Sequence, residues 1–269
     1  MSTLTLCPND DLQSALDRAP AGSTVHFRAG VYRQKIMLRT PGLTLEGEGA
    51  DQSVLVFDDY ARKPDELGRE YNTFRTWTLA VCADDVHMYN LAVVNDALSP
   101  EAKGQEVALS VYGDRFVMED CLLRSTQDTL FLGPLPEDLI ARYNGFLPDE
   151  LRRSGQLSQR FTRCRIEGTV DFIFGCGRTL FEDCEIRSLF EIRGVGYAAA
   201  PAHPLEEEQG FLFRRCAFTA EPSVPAVVEE TIVVTPVAEA PAEEAPAVAV
   251  EEEAVVVEAP APVAEVIET

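Results

Sequence analysis

The sequence is poor in positive charge, and this shortage excludes one class of partner. Its 23 lysines and arginines face 45 aspartates and glutamates, so the formal net charge is −22 at pH 7. Twelve of the acidic residues are glutamates that lie after residue 220, where no Asp, Lys or Arg occurs, which leaves −10 for residues 1–220. Proteins that bind nucleic acids neutralise phosphates with basic surfaces, so we expect no nucleic-acid partner.

Metal ligands and membrane-spanning segments are also scarce. The three histidines are scattered, no CxxC pair occurs, and the spacing of the seven cysteines does not fit zinc. We therefore predict no metal and no cofactor, and reduced thiols as in a cytosolic protein. No apolar run is long enough to cross a bilayer, and the first residues do not resemble a signal peptide. The sequence thus predicts no membrane partner and a cytoplasmic location.

The composition changes abruptly near residue 220. Residues 1–220 mix glycines, aromatic residues and short apolar runs, whereas residues 221–269 contain only Glu, Ala, Val, Pro, Thr, Ile and one Ser. Prolines break helices and the repeated glutamates oppose collapse of this segment. We therefore predict one domain over residues 1–220 and a disordered low-complexity tail over residues 221–269.

The first region has one helical signal and many short strand-like runs. Asp10 is expected to cap a helix over DLQSALDRA, in which Leu12, Ala15, Leu16 and Ala19 form one apolar face. The runs that follow, such as LTLEGEG and SVLVF, are too short for helices and are separated by turns. This pattern predicts an all-β domain with a short N-terminal capping helix.

A repeat accompanies these runs. A short motif around a cysteine, with an apolar residue two positions later, recurs at Cys121, Cys164, Cys184 and Cys216. The closest two of these cysteines are 20 residues apart, and the larger intervals are consistent with insertions. Strands that recur at about this interval are typical of a parallel β-helix, a solenoid with a single chain. The cysteines are then interpreted as an internal ladder of small apolar side chains.

The repeat also aligns two aspartates. Asp128 lies seven residues after Cys121, and Asp171 lies seven residues after Cys164. If the coils stack directly, the two carboxyl groups lie one strand spacing apart, about 5 Å. Two carboxyls at that distance split their pKa values, which supplies one acid and one nucleophile or base. The alternative is that each aspartate merely caps a turn, and the spacing alone does not decide between the two.

Several sequence blocks resemble the pectin methylesterase family. They are GTVDFIFG at 168–175, STQDTLF at 125–131 and GQEVALSV at 104–111, together with the upstream AGVYRQKI, LEGEG and NTFRTWTLAV. The resemblance covers roughly residues 8–220. It implies a right-handed parallel β-helix that hydrolyses methyl esters of galacturonate in pectin or oligogalacturonides and releases methanol. It also implies that no metal is required.

The resemblance assigns roles to individual residues. By position in the family motifs, Asp171 is the expected nucleophile, and Asp128 is the expected acid and then base. Gln127 matches the glutamine whose amide donates to the developing oxyanion. A second group is expected to contact the substrate and consists of Gln105, Thr73 and Phe174.

An insertion separates the two aspartate motifs. Residues 133–158 form a segment with Pro and Gly and a short helical piece within either DLIAR or PDELRRS. We expect this segment to form a lobe beside the cleft. Its arginines, Arg142, Arg152 and Arg153, either direct positive charge towards an acidic sugar or form an ordinary solvated face.

One motif of the family is not found in the chain. Family members carry a later Leu-Gly-Arg-Pro-Trp, whose arginine bonds the nucleophilic aspartate and whose tryptophan stacks on the sugar. Here the only tryptophan is Trp77, and no arginine follows Arg215. We interpret the chain as a C-terminally truncated, monomeric member with an unrelated acidic tail. The main hypothesis is a pectinesterase. The alternatives are a catalytically impaired pectin-binding β-helix and, less consistent with the motifs, another β-helix pectin hydrolase or lyase.

Overall fold

A computed structural model describes residues 2–97, 104–143, 147–191, 194–204, 207, 209–222 and 257–258. Short strands in three parallel sheets dominate it, and helices are few and short. In the ranges that it describes, no helix is both long and apolar enough to cross a membrane.

Sheet A has eight strands, and sheet B has seven. In order across sheet A, the strands are β1 (Thr3–Leu6), β2 (Thr24–Phe27), β5 (Thr44–Gly47), β8 (His87–Tyr89), β11 (Phe116–Glu119), β14 (Ser158–Thr162), β17 (Arg178–Glu182) and β21 (Phe211–Arg214). In order across sheet B, they are β3 (Gly30–Arg33), β6 (Ser53–Phe57), β9 (Ala92–Asn95), β12 (Leu122–Arg124), β15 (Arg165–Gly168), β18 (Glu185–Ser188) and β22 (Ala217–Ala220).

Sheet C has six strands, and the chain passes from sheet A to B to C in each coil. In order, the strands of sheet C are β4 (Ile36–Leu38), β7 (Leu79–Val81), β10 (Leu109–Val111), β13 (Leu130–Leu132), β16 (Ile173–Gly175) and β20 (Ala199–Pro201). For example, β11, β12 and β13 form one coil, and β14, β15 and β16 stack on it strand by strand in parallel register. The predicted parallel β-helix is therefore confirmed.

Inward-facing side chains form continuous ladders, because equivalent residues of successive coils pair directly. In sheet A the rings of Phe161 and Phe181 stack with centroids 5.1 Å apart, and those of Phe181 and Phe213 with centroids 4.7 Å apart. The full column in sheet A is Leu4, Val25, Leu45, Met88, Met118, Phe161, Phe181 and Phe213. Sheet B has the matching column Tyr32, Leu55, Val93, Leu123, Ile166, Ile186 and Phe218. These ladders fill the lumen of the helix.

A single left-handed residue makes the corner between sheets A and B in the later coils. These corner residues have φ between 52° and 57° and are Asn90 (57°), Asp120 (53°), Arg163 (52°), Asp183 (54°) and Arg215 (54°). From Asp120 onward, acidic and basic corner residues alternate from one coil to the next, and side chains of opposite charge in neighbouring coils form hydrogen bonds. Arg163 donates two hydrogen bonds to Asp120 (2.7 and 2.8 Å), and Arg215 donates two to Asp183 (2.7 and 2.9 Å).

The cysteine of each repeat follows this corner residue. Cys121, Cys164 and Cys184 are buried, and Cys216 in the last coil is half-buried. The residues that follow these cysteines pair in register, Leu122 with Arg165, Arg165 with Glu185 and Glu185 with Ala217, so the cysteines stack in one line. All seven cysteines are unbridged. The interpretation of the repeat as a ladder of small side chains is confirmed.

A short helix covers the first coil, as the sequence predicts, but its cap is one residue later than expected. Helix α1 spans Leu12–Arg18, and its own Leu12 and Leu16 are buried in the core. The N-cap is Asp11, whose carboxylate accepts a hydrogen bond from the Ser14 amide at 3.1 Å. The prediction of Asp10 was wrong because that carboxylate instead accepts from the Cys7 amide at 2.7 Å and closes the preceding turn.

Strands β20, β21 and β22 come last in their sheets among the described residues. Phe218, the last rung of the sheet B ladder, is 61 % exposed, whereas the rungs that precede it are buried. Most of the predicted disordered tail, residues 221–269, lies outside the described ranges. Residues 221–222 are described, and the Glu221 amide donates to the Ser188 carbonyl at 3.0 Å. Strand β23 (Val257–Glu258) is also described and pairs antiparallel with β19 (Val195–Gly196).

The inner ladder predicts which substitutions unfold the protein. Phe161 is fully buried and lies between Phe116 and Phe181, with ring centroids 5.8 and 5.1 Å away. Phe161→Ala should lower the free energy of unfolding by about 3–5 kcal/mol, since it removes buried apolar contacts and leaves a cavity. Chemical denaturation measures this change. Val31→Ala, on an outward side chain that is 59 % exposed, should stay within about 0.5 kcal/mol. Equal losses in the two variants would contradict the ladder as the source of stability.

Candidate active site

Asp128 and Asp171 occupy the same turn in consecutive coils. Each lies between the sheet B strand and the sheet C strand of its coil, two residues before the sheet C strand begins. Both have left-handed backbones, with φ of 66° for Asp128 and 50° for Asp171. Aspartate tolerates this conformation better than most residues, so both turns can place a carboxyl group where the chain reverses.

The register of sheet C places one aspartate directly over the other. Leu130 pairs with Ile173, and the amide of Leu130 donates to the carbonyl of Phe172 at 2.9 Å. The amide of Asp128 donates to the carbonyl of Val170 at 3.0 Å, so the ladder continues through the turn. The two residues are therefore separated by one strand spacing, about 4.8 Å. This is the stacking that the seven-residue offset predicted.

The two carboxyl groups have different surroundings. Asp128 is buried, with 7 % of its surface exposed, whereas Asp171 is half-buried. Burial raises the pKa of Asp128 well above its usual range, the nearby charge of Asp171 raises it further, and the hydrogen bond from Gln127 acts in the opposite direction. Asp128 is thus suited to hold a proton next to a more accessible carboxylate. The charge coupling favours the paired-carboxylate interpretation over two independent turn caps.

Gln127 reaches the same turn. It is half-buried, and its side chain hydrogen-bonds the carboxyl of Asp128. Its main-chain carbonyl accepts a hydrogen bond from the Glu106 amide at 3.0 Å, which ties it to the coil before. An amide held in this way can present N–H donors to an oxygen that gains negative charge.

Gln105 lies in the preceding coil and is half-buried. Its neighbour Glu106 is fully buried and was not singled out from the sequence, although a charge within the apolar run GQEVALSV was a usable signal. Glu106 accepts a hydrogen bond from the hydroxyl of Thr126 at 2.6 Å, and its main-chain carbonyl accepts one from the hydroxyl of Ser125. These contacts fix the turn that carries Gln127.

The other two expected substrate contacts lie on the outer side of sheet C. Thr73 begins a short 3₁₀ helix over Thr73–Arg75 and is half-buried. Phe174 is half-buried and packs against Phe131 and Phe74, with centroids 5.1 and 6.5 Å away. The ring of Phe174 is therefore partly used in an aromatic cluster, and the remaining part faces outward.

The insertion covers this aromatic cluster. The sequence predicted one short helical piece within either DLIAR or PDELRRS, and the structure has one in each: helix α2 (Glu137–Arg142) and a 3₁₀ helix (Asp149–Leu151). Leu135, Leu147 and Leu151 are buried against the outer side of sheet C. The lobe is fastened at its edge by ion pairs, because Arg39 donates to Glu150 at 2.8 Å and Arg153 contacts Asp84 at 2.8 Å.

The three arginines of the lobe that the sequence indicated lie beside acidic partners. They face Asp138 (Arg142, 3.6 Å), Asp149 (Arg152, 3.6 Å) and Asp84 (Arg153, 2.8 Å). This favours the solvated, paired face over a positive surface aimed at a sugar. Arg178 contacts Glu207 at 2.9 Å, Arg187 lies 3.9 Å from Glu167, and Arg193 is outside the described residues. Across the described ranges, no cluster of three or more His, Cys, Asp or Glu side chains could hold a metal.

Two stacked carboxyl groups and a glutamine at one turn agree with the resemblance seen in the sequence. A family model described as Pectinesterase matches residues 7–134 and 152–234. The chain belongs to the pectinesterase family. The stretch between the two matched ranges, 135–151, lies within the inserted lobe.

Curated relatives are similar over most of this chain. Pectinesterase 31 of Arabidopsis thaliana is 29 % identical over 219 residues, which are 77 % of this chain and 60 % of the relative. Putative pectinesterase 14 of the same plant is 26 % identical over 221 residues, which are 80 % of this chain and 58 % of the relative. The chain thus spans about three fifths of the length of these relatives.

Solved structures confirm the fold as a right-handed parallel β-helix. Pectin methylesterase PemA from Erwinia chrysanthemi is 26 % identical, with a TM-score of 0.69, and the match covers 84 % of this chain and 68 % of that one. A pectin methylesterase from Yersinia enterocolitica is also 26 % identical, with a TM-score of 0.65 and coverage of 79 % and 66 %.

The raised pKa of Asp128 predicts a specific pH dependence of stability. Because folding favours the protonated carboxyl, its contribution is complete below its ordinary pKa of 3.8 and is lost as the pH rises towards the higher value of the folded state. Asp128→Asn keeps the shape without the charge. It should therefore raise the free energy of unfolding at pH 7, by about 1–3 kcal/mol, and have little effect near pH 4. Denaturation of both proteins at each pH measures the difference. A gain of equal size at both pH values would contradict the shift.

Proposed function

We propose that this protein is a carboxylic ester hydrolase that removes methyl groups from methyl-esterified galacturonate, in pectin or oligogalacturonides, and releases methanol. The observation that carries the proposal is the pair formed by Asp128 and Asp171, one buried and one accessible, in adjacent coils. Membership of the pectinesterase family supports the same activity. A pectin methylesterase of this fold has been solved in complex with a hexasaccharide, which supports a sugar-polymer substrate.

The geometry suggests how the first half of the reaction proceeds. The carboxylate of Asp171 attacks the ester carbonyl carbon, and negative charge develops on the carbonyl oxygen. We assign to Gln127 the donation of N–H groups to that oxygen, and to Gln105 from the coil before a contact with the substrate. Asp128 gives its proton to the departing methoxy oxygen, so methanol leaves and an anhydride between the substrate and Asp171 remains.

The second half returns the enzyme to its starting state. Asp128, now a carboxylate, accepts a proton from water as the water attacks the anhydride carbonyl. The galacturonic acid that forms loses the second proton of the water to solvent and leaves as a carboxylate, and Asp171 regains its own carboxylate. An aspartic acid with a raised pKa suits this double role, since it must be protonated before each cycle near neutral pH.

The partners and the location stay predictions. We propose that the protein acts as a monomer on methyl-esterified pectin or oligogalacturonides, that it acts in the cytoplasm, and that it contributes to pectin degradation and cell-wall modification. Pectin binding without turnover, the alternative stated from the sequence, is one outcome of the first experiment below.

Replacing the nucleophile tests the proposed chemistry. Asp171→Asn should lower methanol release from methylated oligogalacturonide by roughly a thousandfold or more, since the attacking carboxylate is lost. Asp120→Asn is the matched control, because Asp120 also occupies a left-handed turn but lies at the corner between sheets A and B. It should keep its activity. Binding of the oligomer by the unmodified protein without any methanol release would reject the esterase and establish the alternative.

A second substitution tests the proposed oxyanion donor. Gln127→Leu should reduce kcat by about 100-fold, because the amide stabilises charge that exists only in the transition state, while KM changes little. Steady-state kinetics with a methylated oligogalacturonide separates the two parameters. Gln156→Leu, at an exposed glutamine of the inserted lobe, serves as the control. A rise in KM with an unchanged kcat would assign Gln127 to ground-state binding instead.

A further inference from the structure

Two lysines share one buried carboxylate upstream of the aspartate pair. Asp59 is 1 % exposed, and its two carboxylate oxygens accept from Lys35 and from Lys63, each at 2.5 Å. Lys35 also donates to the main-chain carbonyl of Arg75. A buried carboxylate needs one cation to offset its charge. The second lysine therefore leaves one unit of positive charge on these three groups.

Aromatic rings surround these ammonium groups. The Nζ atom of Lys35 lies 4.6 Å from the ring centroid of Trp77 and 5.0 Å from that of Tyr71. Lys63 lies 5.7 Å from the ring of Tyr71. Trp77 is 5 % exposed, and its indole N–H has no acceptor within the described part of the chain. The group thus combines positive charge, aromatic faces and one unused donor. We refer to Lys35, Asp59, Lys63, Tyr71 and Trp77 as the lysine cluster.

The cluster lies on the same line along the helix as the proposed catalytic pair. Trp77 stands two residues before β7, as Asp128 stands two before β13 and Asp171 two before β16. Strands β7, β10, β13 and β16 are consecutive in sheet C, so Trp77 is two coils from Asp128 and three from Asp171. These separations are about 10 and 14 Å. A linear polymer that lies along the axis over the aspartates passes the cluster.

Hydrogen bonds also join the cluster to the proposed site. The loop that carries Asp59 and Lys63 is pinned through Ala61, whose amide donates to the carbonyl of Gln105 at 2.9 Å. Asn95 donates to the main-chain carbonyl of Asp59 at 2.8 Å. These hydrogen bonds therefore fix the position of the cluster relative to the coil that carries Gln105.

Asp59 favours the charged form of both lysines. Burial opposes the charged form of Lys63, but the hydrogen bond and charge of Asp59 outweigh it and raise the pKa of Lys63. Burial lowers the pKa of Lys35, and Asp59 counteracts part of this effect. Of the two side chains, Lys63 is the more exposed, at 34 % against 23 %. Lys63 is therefore the group that an incoming anion meets first.

We propose that the lysine cluster is a binding subsite for a free galacturonate carboxylate of the polymer, two to three coils from the scissile ester. This proposal takes its substrate class, a galacturonate polymer, from the proposed function and rests on it. Lys63 provides the charge, and the ring of Tyr71 provides an apolar face for the sugar. The subsite makes the enzyme favour polymer that already carries a free carboxylate at the sugar unit that lies over the lysine cluster. It also supplies the local positive charge that a domain with a net charge of −10 requires to hold an acidic polymer.

Direct binding tests the subsite without relying on turnover. The probe is an unmethylated galacturonate hexasaccharide, titrated into the full-length protein by calorimetry and by the fluorescence of Trp77, the only tryptophan. Lys63→Gln should weaken binding roughly fivefold at low salt, the effect of losing one partly exposed charge contact. The difference should vanish at high salt. Lys63→Arg keeps the charge and should bind nearly as well as the unmodified protein.

A control variant with the same change in net charge separates an effect of the subsite from an effect of the net charge of the protein. Arg163→Gln removes one positive charge at the corner between sheets A and B, away from this line, and should leave the affinity unchanged. Equal weakening in Lys63→Gln and Arg163→Gln, no weakening in either, or no binding by the unmodified protein would overturn the proposal. Methanol release is measured in parallel. If binding depends on Lys63 but no methanol is released, the subsite is retained and the esterase is rejected. If methanol is released and Lys63→Gln binds the hexasaccharide as well as the unmodified protein does, the esterase is retained and the subsite is rejected.

Discussion

The distance between neighbouring parallel strands is the constraint on which this site depends. It fixes the separation of Asp128 and Asp171, because both occupy the turn before paired strands of sheet C. At that separation the two carboxyl groups do not ionise independently, and burial decides which of them keeps the proton. The separation of the two carboxyl groups thus follows from the strand spacing of the fold itself. The same ladder that stabilises the fold positions the chemistry.

The sequence alone was sufficient to predict the repeat and the alignment of the two aspartates. Periodic cysteines and apolar residues carry that information directly, since each coil repeats the same inward positions. The difference between Asp128 and Asp171 was not predictable, because burial depends on side chains from other coils. The position of the helix cap was missed for a similar reason. Asp10 and Asp11 have the same side chain, so the sequence does not show which of them caps the helix. The Cys7 amide binds the carboxylate of Asp10, and Asp11 is therefore the cap.

The arrangement of cations was the least predictable part of the structure. The arginines of the inserted lobe were conspicuous in the sequence, but they lie beside Asp84, Asp138 and Asp149. Lys35 and Lys63 were not singled out, because they are 28 residues apart and come together only in the fold, at Asp59 and the ring of Tyr71. Contacts of this kind depend on which coil a loop returns to, and local sequence patterns contain no information about that.

The alternating corner residues have a consequence for how such a helix can grow. Asp120, Arg163, Asp183 and Arg215 succeed one another in consecutive coils. Two hydrogen bonds join Arg163 to Asp120, and two more join Arg215 to Asp183. Duplication or loss of a single coil would bring two acids or two arginines together at this corner. Duplication of two adjacent coils would preserve the alternation. In evolutionary terms, the unit that this edge of the solenoid can copy without electrostatic conflict is a pair of coils, not one.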